Sequence, residues 1–127
     1  MVTYETASFK MRIGDDGLKE LTVKENATYD ASDVEESLEL SLRGNFRSKF
    51  YVLFEAEGNA NITEDARKRA ASQDYTKYTA ALALCSDKPT LVALGNIFLT
   101  VNRPKVPTKF FKKRADALRW LKEKMAA

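Results

Sequence analysis

Cys85 is the one thiol in a 127-residue chain that contains no histidine. Without imidazole there is no Ser-His or Cys-His dyad, and the commonest general base and the commonest metal ligand are both missing. One cysteine and no histidine leave a structural zinc site without a ligand set, so neither a metal nor a cofactor is expected. Carboxylates, lysines and tyrosines remain for acid–base work, but no pair of them stands out by spacing. The expectation is a protein that is not an enzyme and acts by contact. Cys85 itself ends an apolar run and reads as an inert buried thiol. A lone cysteine also excludes an internal disulfide, which suits a reducing, cytoplasmic setting.

Charge is the next resource for recognition. The formal net charge is +3, unevenly spread: residues 1–57 carry 7 basic and 12 acidic side chains, residues 58–127 carry 14 and 6. Such polarity can steer an anionic partner or draw copies of the chain together, although solvated helix faces produce it as well. Arg103, Lys105, Lys109, Lys112, Lys113 and Arg114 form the densest basic cluster. No nucleic-acid motif accompanies it, and Phe110 and Phe111 read as strand and core residues, so nucleic-acid binding is not expected.

The elements that must position these groups follow from periodicity. Hydrophobic residues make up 44% of the chain and only five Gly and three Pro occur, so residues 1–127 read as one domain without long flexible linkers. Residues 1–10 hold no apolar core of signal-peptide length, and no run of about 18 apolar residues predicts a membrane span. Phe9, Met11 and Ile13 alternate inward on a strand, and Asp16-Gly17 supplies the turn to a returning strand with Leu21 and Val23 inward.

Beyond that hairpin, Ser32 and Glu35 have capping-box spacing before Val34, Leu38 and Leu42, which predicts a helix closed by Gly44. Leu38, Leu40 and Leu42 also alternate as a strand would; the cap favours helix. Residues 49–55 predict a central strand covered on both faces. Thr63 then caps a second helix with Glu64 and Asp65 in its first turn and a small face at Ala66, Ala70 and Ala71. Residues 79–85 predict another buried strand. Pro89 begins a third helix that runs to about Val101. A short strand over residues 107–111 and a terminal helix over residues 112–125 complete the order ββαβαβαβα. This is an α/β fold with a mixed sheet: an N-terminal antiparallel hairpin, then strand–helix crossover units.

Two stretches carry a recognisable pattern. One is residues 62–72, with Thr63, Ala66 and Arg67 at a helix start. The other is residues 80–111, with a small-apolar strand, Gly95-Asn96-Ile97-Phe98-Leu99 in a helix, Asn102-Arg103-Pro104 at a turn and Pro107-Thr108 before Phe111. This pattern resembles a bacterial family of small STAS-like domains of unknown function. The wider STAS superfamily includes anti-sigma-factor antagonists and sulfate-transporter tails, so the resemblance implies a regulatory, protein-interaction module. In the antagonists a serine at the start of the helix after the central strand is phosphorylated, within Asp-Ser-Ser-Gly. The matching segment is Thr63-Glu64-Asp65-Ala66, where acids replace the acceptor serine. The resemblance therefore implies a partner surface held in one charge state, although plain capping chemistry uses the same residues.

The third helix is the other candidate surface. Leu91, Val92, Leu94, Gly95, Ile97, Phe98, Leu99 and Val101 cover about 220° of its circumference. A helix lying on one sheet face needs an apolar stripe of only about 100° or somewhat more. Neighbouring helices, a partner, a second copy or an apolar ligand must cover the excess. Ile97, Phe98, Val101, Arg103 and Lys105 are accordingly the expected partner or homodimer surface. The competing expectation is an apolar-ligand or lipid-binding domain of related architecture, with this helix walling a cavity.

Overall fold

A computed structural model of the chain describes residues 1–44 and 48–127. The main sheet orders six strands as β1 (Val2–Glu5), β2 (Phe9–Ile13), β3 (Leu18–Val23), β5 (Phe50–Ala56), β7 (Thr79–Cys85) and β8 (Thr108–Phe111). The first three pair antiparallel and the last three run parallel to β3. Helix α1 (Ala31–Ser41) links β3 to β5. Helix α2 (Glu64–Ala71) and the single turn α3 (Gln73–Thr76) link β5 to β7. Helix α4 (Pro89–Ile97), extended by a π-helical turn Phe98–Asn102, links β7 to β8. Two residues of β4 (Thr28–Tyr29) pair parallel with two of β6 (Asn61–Ile62) as a separate small ladder. The terminal helix α5 (Arg114–Ala126) closes the chain.

The mixed sheet and its opening hairpin are as the sequence predicts. Phe9, Met11, Ile13, Leu21 and Val23 all face the core, and Gly17 turns the hairpin at φ 92°. Helices α1, α2 and α4 share one face of the sheet through Val34, Ala66 and Phe98. The other face is covered by α5, whose Ala117 and Leu121 meet Leu53, Ala81, Ala83 and Cys85. Strand β5 is thus packed on both sides, with Val52 toward one layer and Leu53 toward the other.

Five local expectations are corrected. Strand β1 lies outside the predicted order because it is an edge strand with three of its four residues exposed, so it has no apolar rhythm. The ladder of β4 and β6 is likewise too short to show one. Helix α1 is capped by Asp30 rather than Ser32: the Asp30 carboxylate accepts from the Ala31 N–H at 2.8 Å, and Asp33 accepts from the Asp30 N–H at 2.8 Å. Its buried stripe is Val34, Ser37, Leu40 and Ser41, while Leu42 is 45% exposed. The two serines are tolerated there because Ser37 donates to the Val34 carbonyl and Ser41 to the Ser37 carbonyl. Gly44 does not close the helix, which ends at Leu42 in a right-handed conformation.

Candidate functional site

The ladder of β4 and β6 sets two helix starts side by side. Thr63 N–H donates to the Tyr29 carbonyl at 3.0 Å, which brings the α2 cap against the α1 cap. The Thr63 hydroxyl accepts from the Ala66 N–H at 3.0 Å and donates to Asp30 Oδ1 at 2.7 Å. Both of its roles are therefore taken. The same hydrogen bond, with that from Ala31, holds the Asp30 carboxyl below its ordinary value of 3.8. Glu64 and Asp65 stand exposed beside it. Glu64 reaches Lys68 one turn on at 3.2 Å, and Arg69 of α2 pairs with Glu35 of α1. Thr63 thus caps α2, with Glu64 and Asp65 in its first turn, and Asp30, which the sequence reading assigned no functional role, joins them.

The expected surface on the third helix is divided by the structure. Ile97 and Val101 are 39% and 70% exposed, and Arg103 and Lys105 are exposed beyond them. Phe98 is only 5% exposed, because it shares the sheet-facing stripe with Leu91 and Gly95. It is a core residue, not a contact surface. Half-burial of Val92, Leu94 and Leu99 against the body of the domain takes up most of the apolar arc that looked excessive. The π-helical turn ends with Arg103 at φ 48°, its guanidinium Nε donating to the Thr100 carbonyl at 3.0 Å.

Between α2, α4 and the sheet lies an apolar crevice of about 80 Å³. Phe54 and Leu84 form its floor, Ala66 and Arg67 one wall, Leu94 and Phe98 the other. Cys85 also borders it; burial pushes its thiol up from the ordinary value, and Glu55 adds to the shift. Gly95 lets α4 approach so closely that any side chain there would meet the Phe110 ring.

Two further groupings take shape only in the fold. Glu20 on β3 and Glu55 on β5 converge on Arg114 at the start of α5. Burial raises the Glu55 carboxyl, Arg114 opposes the rise and Glu20 adds to it. These two carboxylates are the pair that spacing does not reveal, since residues 20, 55 and 114 meet only after the parallel strands align. Lys19 is 2% exposed, its ammonium over the Phe50 and Tyr75 rings at 5.6 and 5.5 Å. Of the basic cluster, Arg114 is thereby committed and Lys109 lies over Phe111. Among the described residues, no group of three or more Cys, Asp or Glu is arranged to hold a metal ion. No helix among them is long and apolar enough to cross a membrane.

The family model described as "Domain of unknown function (DUF7793)" matches residues 11–125. The chain belongs to this family. The match runs from within β2 into the last turn of α5, so the crevice, both helix caps and the Arg114 cluster are all parts of the DUF7793 domain. Its structure is similar to that of an uncharacterized protein of the DUF3478 family with a SpoIIAA-like fold, from Shewanella loihica PV-4. The two share 18% identity over 90% of this chain and 92% of that one, with a TM-score of 0.55. At that identity the likeness is one of fold, and this domain has a SpoIIAA-like, that is STAS-like, fold. No curated protein matches it.

Proposed function

We propose that this domain is a non-catalytic regulatory module that binds a protein partner, a second copy of the chain included. Its contact surface combines the acidic start of α2 with the outer flank of α4. The observation that carries this reading is the doubly engaged Thr63 hydroxyl amid Asp30, Glu64 and Asp65. A helix start that holds fixed negative charge and no free hydroxyl acts as a constant contact surface. Ile97 and Val101 extend the surface with apolar area, and Arg103 and Lys105 flank it with positive charge.

Affinity capture tests this with three baits: the unaltered domain, the Glu64→Lys/Asp65→Lys double variant and Ile97→Asp. All three substitutions fall on exposed positions, so circular dichroism should be unchanged. A partner recovered by the unaltered domain is expected to be lost from both variants. Equal recovery by all three baits contradicts the assigned surface.

A second reading, an apolar-ligand-binding domain, is favoured by the crevice between α2 and α4. At about 80 Å³ it exceeds the roughly 10–15 Å³ that one water needs, and falls well below the roughly 300–1,000 Å³ of drug-sized ligand sites. The ligand is therefore small, not a long-chain lipid. Titration with 1-hexanol, followed by amide chemical shifts, should perturb Ala66, Ala70, Leu94 and Gly95. Unmoved crevice amides would end this reading.

A further inference from the structure

Arg67 is the one charged side chain among the described residues that line the crevice. It sits one turn into α2, and its Nη1 donates to the Ile62 carbonyl at 2.6 Å. Its Nε–H is buried and meets no acceptor. Among the described residues no carboxylate lies within ion-pair reach of it, whereas Lys68 and Arg69 on the same helix are paired with Glu64 and Glu35. Nε and Nη2 form the guanidinium edge that grips two carboxylate oxygens as a fork. With Nη1 donating to Ile62, that edge is the one without a partner, and a ligand completes the fork by displacing the side chains that enclose Nε. A cation with an unmet donor beside an apolar cavity complements a molecule that is anionic at one end and aliphatic at the other.

We propose that the crevice binds a short aliphatic monocarboxylate, with its carboxylate on the Nε/Nη2 edge of Arg67 and its chain along Phe54, Leu84 and Leu94. This rests on the apolar-ligand reading and adds the chemical class of the ligand. Size sets the chain length. An engineered apolar cavity of roughly 150 Å³ accommodates the six carbons of benzene, so about 80 Å³ encloses roughly three carbons, the rest of a short chain and its head lying toward the mouth.

Amide-shift titrations with hexanoate, 1-hexanol and acetate test the proposal on the unaltered domain and on Arg67→Gln. Hexanoate should perturb Ala66, Ala70, Leu94 and Gly95 and bind about tenfold more tightly than hexanol, the weight of one charge-assisted hydrogen bond. Acetate, lacking the chain, should leave Leu94 and Gly95 unmoved. Arg67→Gln should bring hexanoate down to the hexanol level and leave hexanol unchanged. Equal affinity of hexanoate and hexanol for the unaltered domain overturns the role of Arg67, while leaving the apolar-ligand reading standing. Silence of the crevice toward both compounds overturns the two together. The comparison on the unaltered domain decides the matter even where Arg67→Gln does not fold.

Discussion

Thr63 shows how much one hydroxyl can settle. It caps α2 and bonds the cap of α1, so a change there acts on two helices at once. Thr63→Ala should cost about 1–2 kcal/mol in chemical denaturation, the upper part of the range for a lost cap. The pH dependence follows from Asp30. Its carboxyl is lowered in the folded state, so its stabilising effect is present above the ordinary value of 3.8 and disappears as pH falls through the folded value. Thr63→Ala should shrink that acid-side loss, measurable as a smaller drop in midpoint between pH 5 and pH 3. Glu55 has the opposite sign. Its carboxyl is raised, so the native state holds the proton more tightly, and stability declines as pH rises from 4.5 through the folded value. The midpoint of Glu55→Gln relative to the unaltered domain should therefore climb over that interval; a flat difference would contradict the shift.

Residue-level legibility was uneven for physical reasons. Period two places Lys19 on the same side of β3 as Leu21 and Val23, so the signal for its burial was present although its charge argued against it. Its four-carbon stem is what the core accepts, with two aromatic faces receiving the ammonium. Lys19→Ala should cost about 2 kcal/mol in urea denaturation, whereas Lys19→Met, which keeps the stem, should cost less than about half of that. Equal losses would mean that the charge, not the stem, matters there. The Glu20, Glu55 and Arg114 cluster could not be read in the same way, because no local pattern tells which strands will lie side by side.

Among the elements, the hairpin, β5, β7 and α5 were legible because each has a strong apolar rhythm. Helix α1 was legible in kind but not in register, since Ser37 and Ser41 enter the core by bonding back to carbonyls of their own helix. Helix α4 illustrates a limit of counting apolar arc. Its stripe looked too wide for one sheet face, yet the sheet and neighbouring elements half-bury most of it, and Ile97 and Val101 alone remain plainly outside. Its seat depends on Gly95, which leaves no room between helix and Phe110. Gly95→Ala should destabilise by about 1–3 kcal/mol through overpacking. The cost should fall in a Phe110→Leu background, where the ring is gone. A double-mutant cycle without coupling would show that the contact does not limit the packing of α4.

At the scale of the whole molecule, the proposed contact lies on the sheet face that carries α1, α2 and α4, where the α2 start, the crevice and the flank of α4 lie together. The fold class was legible from the order of elements and from the motif pattern over residues 62–111, and the likeness to the SpoIIAA-like structure agrees with it. The start of α2 was legible at Thr63, Glu64 and Asp65 because capping is local chemistry. The bond from Thr63 to Asp30 and the unmet donor of Arg67 became visible only once β4 met β6 and α2 met the sheet. The account stands or falls on whether partners touch this side of the domain. A photo-crosslinking amino acid at position 64 or 97, with position 10 on the exposed face of β2 as control, measures that directly in cells. Adducts are expected from positions 64 and 97 and not from position 10. Adducts from position 10 alone, or from none of the three, would contradict it.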